Sequence, residues 1–255
     1  MANVLDVQNV EKVYGSRAGA TRALAGVTLA VERGEMVAIM GPSGSGKTTL
    51  LNCIATIDAP TSGRVLIGGR DVGALSGAEL ADFRRCELGF VFQDANLLDT
   101  LTARENVALP LTIARVPPRE IAQRVEAAAA NLGVAAVLDK YPWQMSGGQR
   151  QRVAAARAVV ADPTLVLADE PTGALDSKNA RLLLECLEDL NRKLDATIVM
   201  VTHDAYVASF CRRVVFIRDG RVFTEVVRGD DARQAFFDRV MEVVAVIGGG
   251  EADAR

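Results

Sequence analysis

Gly41, Gly46, Lys47 and Thr48 satisfy the spacing G-x-x-x-x-G-K-[ST] within the run GPSGSGKTT. Glycines let a backbone curl until successive N–H groups converge on one phosphate cluster, and a helix opening directly after them adds the positive end of its dipole. Lys47 then supplies a mobile charge for β and γ phosphates, and the Thr48 hydroxyl is placed to ligate Mg2+. The run follows the apolar stretch Met36–Met40 and precedes an amphipathic one, so it reads as strand, phosphate loop and helix. With both flanking elements in place, phosphate binding outweighs a surface turn that merely caps a helix.

Two acids form a second constellation. Leu165, Val166, Leu167 and Ala168 lead straight into Asp169 and Glu170. Ligands of open α/β sheets bind beyond the carboxyl ends of strands, so acids there are placed to meet the phosphates rather than only to cap the next helix. Asp169 is expected to organise Mg2+, and Glu170 to polarise an attacking water. A third constellation is MSGGQRQR, residues 145–152. Ser146 suits a helix N-cap, yet Gly147 and Gly148 follow in the first turn, where each costs up to about 1 kcal/mol against Ala. Arg150 and Arg152 also stand near the positive end of the helix dipole. No folding benefit of these choices is legible in the sequence. A phosphate approaching the Ser146 hydroxyl and the bare glycine backbone would account for them.

These residues need a frame. Short β-rich runs at residues 4–7, 28–31 and 64–67, punctuated by Gly34, Gly63, Gly68 and Gly69, predict an antiparallel patch beside the nucleotide core. From Ala95 to Ala161 the character turns helical, with helices expected over 102–109, 119–132 and 147–160 and punctuation at Pro117, Pro118, Gly133 and Pro142. Strand and helix then alternate over 164–168, 177–194, 197–201, 205–211 and 214–217. Alternation of this kind calls for an α/β fold whose parallel sheet is covered on both faces. Asp219 and Gly220 read as the turn of a hairpin closing on 221–226. In the tail, Phe236, Phe237, Val240, Val243, Val244 and Ile247 recur at helical spacing before GGG and a charged end expected to fray.

Composition narrows the partners. The 255 residues, 49% of them hydrophobic, suit one large α/β domain or a domain with an inserted lobe. Basic residues number 29 against 32 acidic, a net charge of −3 that argues against nucleic acid. Residues 1–15 carry scattered charges and no apolar core, so no signal segment is expected. No apolar run approaches the roughly 18 residues needed to cross a bilayer, so any membrane role must come through a partner. Cys53, Cys86, Cys186 and Cys211 form no C-x-x-C pair and read as buried thiols in a reducing cytoplasm. His203 is the single histidine, which leaves no His-rich metal site.

Together the motifs resemble the ATP-binding-cassette family: GPSGSGKT as its Walker A loop, LVLADE as its Walker B strand, and MSGGQ as its signature, with Met145 where Leu is usual. Tyr14 is similar to the aromatic that stacks on adenine, Gln93 in VFQD to the Q-loop glutamine, Ala174-Leu175-Asp176 to the D-loop, and His203 in VTHD to the switch histidine. The resemblance runs from Val4 to about Val227. It implies a P-loop NTPase core of RecA-like type with a parallel sheet, an antiparallel β subdomain and an inserted α-helical lobe. Residues 1–228 would form the ATPase domain, with 1–93 and 163–228 as core and 94–162 as signature lobe, and 229–255 would be a helical tail.

The resemblance also implies a mechanism. Two copies pair head to tail, so ATP held by one copy is closed over by the other. The holding copy would contribute Tyr14 and the loop residues Gly41, Pro42, Ser43, Gly44, Ser45, Gly46, Lys47, Thr48 and Thr49; its partner would contribute Ser146, Gly147, Gly148 and Gln149. Thr48, Gln93 and Asp169 would hold Mg2+. Glu170, His203, Gln93 and Lys47 would carry catalysis, mostly by positioning and charge stabilisation.

Lys47 and Ser146 are 146 − 47 = 99 positions apart, room for a small lobe but not for the long insert of DNA-repair or chromosome cassettes. The insert at 15–21 and TIDAPTSG at 56–63 resemble the branch containing macrolide exporters, lipoprotein-release systems and the cell-division cassette. Within that branch, NLLDTLTARENVALPL, DEPTGALDSKNARLLLE and the tail with Phe236-Phe237 are similar to the bacitracin-type subfamily, whose transporters sense and resist cell-wall-active peptide antibiotics. This implies a cytoplasmic ATPase, peripheral on the inner face of the membrane through a transmembrane permease, with neither nucleic acid binding nor membrane insertion of its own. Residues 93–101 would face a permease helix, with Leu97, Leu98 and Leu101 as an apolar groove. The competing reading is a lipoprotein-release or division-type cassette acting as an ATP-dependent switch on envelope machinery. A P-loop kinase or GTPase would leave MSGGQ without a role.

Overall fold

The computed structural model describes residues 3–15 and 19–249. Strands β1 (Asn3–Tyr14), β2 (Thr21–Glu32), β4 (Ser62–Ile67) and β5 (Arg70–Asp71) form an antiparallel sheet in the order β2-β1-β4-β5. A second sheet is built from β3 (Met36–Met40), β6 (Leu88–Val91), β7 (Leu165–Asp169), β8 (Ile198–Val201), β9 (Arg213–Arg218) and β10 (Arg221–Val227). Its order is β10-β9-β3-β8-β7-β6, parallel except for the edge strand β10, which returns through the Asp219-Gly220 turn.

Every residue of β3 and β8 is buried, as expected for strands covered on both faces. Alternate side chains of β3 serve two cores: Met36, Ala38 and Met40 join the one shared with the helical lobe, and Val37 and Ile39 join the one shared with the antiparallel sheet. Because β3 lies between β8 and β9, the loop that follows it opens at the centre of the sheet, beside the carboxyl ends of β7 and β8. The helix α1 (Lys47–Ile54) starts directly from that loop.

The lobe holds α3 (Ala103–Ile113), α4 (Pro118–Asn131) and α5 (Gly147–Val159). Helix α3 runs past the expected end at Leu109 and through Pro110. Buried Val107 and Leu111 on either side anchor it well enough to outweigh one lost hydrogen bond. Sequence reading missed α2 (Gly77–Glu87) and β6, because Phe83 is the one buried residue of α2 and leaves no apolar periodicity. The start signal was legible all the same: Ser76 N–H donates to Glu79 Oε2 at 2.8 Å, one half of a capping box. Strands β1 and β2 also extend well beyond the apolar runs at 4–7 and 28–31, through several register shifts.

Of the stretch 205–211, only α7 (Ala205–Ala208) is helical. Between β7 and β8 lies α6 (Ser177–Leu194), and the tail forms α8 (Arg233–Gly249), whose Phe236 and Val240 are fully buried. Arg233 ties α8 down with its guanidinium 3.8 Å from the centroid of Phe210 and bonded to Glu188 of α6. The charged end expected to fray, 250–255, and residues 16–18 of the insert lie outside the described residues. Among the described residues no helix is long and apolar enough to cross a membrane. The thiols are not uniformly buried: Cys53 and Cys211 are, Cys186 is half-buried, and Cys86 on α2 is exposed.

Candidate active site

The phosphate loop is held from below by β9. A Cβ on Gly41 would stand 2.0 Å from the Ile217 carbonyl oxygen, and Gly41 has φ 153°, so only glycine fits. Gly46 caps α1 without a side-chain acceptor, which leaves the N–H groups of the first turn for an incoming anion. The Ser45 hydroxyl is buried in the loop and has no hydrogen-bond partner among the described residues. Lys47 folds back on its own loop, donating to the Gly41 and Pro42 carbonyls at 2.8 Å each. Burial lowers its pKa, opposed by the charges of Glu170 and Asp169.

Asp169 ends β7 and Glu170 follows at φ 44°, a left-handed conformation that costs a non-glycine residue about 1 kcal/mol or more. The strain aims the carboxylate at the end of β8. There Glu170 Oε1 lies 2.7 Å from His203 Nδ1, and Glu170 Oε2 accepts from the Thr202 hydroxyl at 3.2 Å. A carboxylate only accepts, so Nδ1 carries the hydrogen. Burial, then repulsion from Glu170, raises the Asp169 pKa, while Lys47 pulls it down. Two crowded acids with one cation nearby suit a divalent ion. Among the described residues no group of three or more His, Cys, Asp or Glu is arranged to hold a metal ion by itself.

A cavity of about 460 Å³ collects Gly41, Pro42, Ser43, Gly44, Lys47, Thr48, Glu170 and His203. Its far wall is one that sequence reading missed: Val244, Ile247 and Gly248 of α8, together with Phe216. Helical spacing revealed α8 but could not say where it docks. Gln93 does not line this cavity; it borders a separate one with Gly147, Arg150 and Leu175, its side chain beside Gly173. Tyr14 is 41% exposed and donates to Asp58 Oδ2 at 2.6 Å. Lys12 bonds the same Asp58 at 2.5 Å, and these two partners, Lys12 first, hold its carboxyl below the usual range. This lock was likewise not anticipated.

The signature turn corrects one expectation. Ser146 Oγ accepts from Gln149 N–H at 3.2 Å, and Gln149 Oε1 accepts from Ser146 N–H at 2.9 Å, closing a capping box. Gly148 has a packing reason: its Cβ would stand 2.1 Å from Asn179 Oδ1 of α6. Arg150 is not stranded at the helix start, since it donates to the Met145 carbonyl at 2.8 Å. Of the two glycines Gly147 is the exposed one, where a Cβ would meet only Leu175 at 3.9 Å and Arg150 at 4.0 Å. Buried Gln151 ties the helix to the turn that follows Glu170 by donating to the Phe92 and Pro171 carbonyls at 2.5 and 2.9 Å. Ser146, Gly147 and Gln149 therefore stand on the lobe, apart from the cavity of Lys47 and Glu170.

The sequence profile of the ABC transporter family matches residues 24–173. Bacitracin export ATP-binding protein BceA of Halalkalibacterium halodurans is 49% identical over 250 residues, covering 98% of this chain and 99% of that protein. Lipoprotein-releasing system ATP-binding protein LolD of Geobacter metallireducens is 45% identical over 225 residues, 88% of this chain and 100% of that protein. Among solved structures, a dimeric post-hydrolysis state of the ATP-binding cassette MJ0796 bound to ADP and Pi is similar with a TM-score of 0.79 and 41% identity, over 88% of this chain and 98% of that one. The chain belongs to the ABC transporter family, as one of its ATP-binding, ATP-hydrolysing cassettes.

Proposed function

We propose that this chain powers a bacterial transporter that confers resistance to, or senses, cell-wall-active peptide antibiotics, working on a membrane permease from the cytoplasmic side. The observation that carries this reading is the end-to-end match to a bacitracin export protein, which takes in α8, whereas the lipoprotein-releasing relative spans 88% of the chain. In this reading residues 1–228 are the ATPase domain, with 94–162 as its signature lobe, and 229–255 are the tail.

ATP lies along the loop of residues 41–49 with Tyr14 against the base. Thr48 and Asp169 would hold Mg2+, with Gln93 joining from the neighbouring cavity, and the ion would neutralise phosphate charge. Glu170, oriented by His203 and Thr202, accepts a proton from water as the water oxygen bonds to the γ phosphorus and the bond to the ADP oxygen breaks. Ser146, Gly147 and Gln149 of a second copy complete the site, and Gly148 shapes their turn.

The permease contact is assigned to a groove of about 410 Å³ that includes Phe90, Phe92, Leu109 and Ile113. It lies beside the expected stretch 93–101, in which Leu97 packs inward and Leu98 is 47% exposed. The test is to purify the chain with the permease encoded beside it and to compare wild type with Glu170→Gln. Turnover should fall by about 100-fold or more, and cells carrying the variant should become sensitive to bacitracin-type peptides. Unchanged turnover would refute the assigned base, and a lipoprotein-release defect without antibiotic sensitivity would move the chain to the competing reading.

A further inference from the structure

Tyr141 and Trp143 form a stacked pair at the surface of the signature lobe, with ring centroids 4.6 Å apart and planes 10° from parallel. Trp143 is the chain's single tryptophan and is 65% exposed, the most of any large apolar side chain among the described residues. The turn that presents it is stiff. Tyr141 N–H donates to Gln144 Oε1 at 2.9 Å, Gln144 N–H returns to the Tyr141 carbonyl at 2.9 Å, and Met145 is buried behind them. An indole held this way contributes little to the core, and with Tyr141 on one side it offers its other face outward.

Trp143 precedes Ser146 by three positions, at most about 10 Å of chain. In the sandwich proposed above, on which this inference rests, Ser146 of one copy meets the γ-phosphate held by the other. The sugar-phosphate tether from that phosphate to the base is of similar length. Tyr14 of the holding copy offers one aromatic face, and a purine has two. We infer that Trp143 of the closing copy stacks on the adenine held by the opposite copy, backed by Tyr141, and so acts as a positioning residue for ATP supplied in trans.

The lone indole is its own reporter. A full-length chain carrying Lys47→Ala, which keeps Trp143 but not its own ATP, is mixed with a Trp143→Phe, Glu170→Gln chain that binds ATP and lacks tryptophan. Mg-ATP should change the tryptophan emission as sedimentation shows the mixed dimer forming. In the otherwise native chain, Trp143→Ala should raise KM for ATP about fivefold or more with kcat within about twofold, and Trp143→Phe should restore KM. A dimer with unchanged emission overturns the assignment. An emission change without a KM effect also overturns it, because the indole then meets protein rather than base. Absence of any ATP-dependent dimer counts instead against the sandwich itself, a failure seen by sedimentation and not by fluorescence.

Discussion

His203 Nδ1 stands 2.7 Å from Glu170 Oε1 although 33 positions separate them in the chain. With Thr202 on the other oxygen, both carboxylate oxygens are held by side chains of this chain. Orientation established in advance costs nothing at the moment of reaction, which is how a fixed side chain contributes to the rate.

His203→Ala should therefore lower kcat about tenfold or more while leaving ATP affinity near that of the wild type, because the loop contacts remain. Steady-state turnover alongside equilibrium ATP binding checks this. A parallel loss of affinity would instead mean that the imidazole holds the nucleotide.

The two signature glycines should separate. Gly148→Ala drives a methyl group into Asn179 and should cost about 1–3 kcal/mol, read as a lower melting temperature. Gly147→Ala meets only Leu175 at 3.9 Å and Arg150 at 4.0 Å, so the isolated chain should melt within a degree or two of wild type, at roughly 2–4 °C per kcal/mol. In the proposed sandwich a second copy approaches that face, so the defect should appear in turnover.

Asp169→Asn should raise the melting temperature of the nucleotide-free protein while abolishing hydrolysis. The folded pKa of Asp169 lies above its ordinary value, chiefly through burial and then through Glu170. The unfolded state therefore releases this proton first, and stability is lost as pH rises from the ordinary carboxyl value through the folded one. Removing the charge removes that loss. Mg-ATP should in turn stabilise the wild type more than the variant, as thermal melts with and without Mg-ATP will show.

Helix α8, although it belongs to the tail, should prove necessary to the ATPase. Phe236→Ala removes a fully buried ring and should cost about 3–5 kcal/mol in chemical denaturation. Ile247→Ala should cost about 2 kcal/mol or more and also raise KM for ATP, since Ile247 lines the phosphate cavity.

The chemistry of this protein was legible wherever it is written in consecutive residues. GPSGSGKTT announces an anion cradle, LVLADE delivers two acids to a strand end, and SGGQ opens a helix, because each depends on backbone conformation and spacing within a single turn. The central strands β3 and β8 were equally plain from their unbroken apolar runs. Tertiary structure alone decided that Glu170 meets His203, that Asp58 bonds both Lys12 and Tyr14, that Gly148 yields space to Asn179, and that the last turns of α8 wall the cavity beside Gly41. Those contacts join residues distant in the chain, and the meeting of Glu170 with His203 follows from strand order, with β7 beside β8. Local periodicity reports which face of an element is apolar, and it carries no information about which neighbour covers that face.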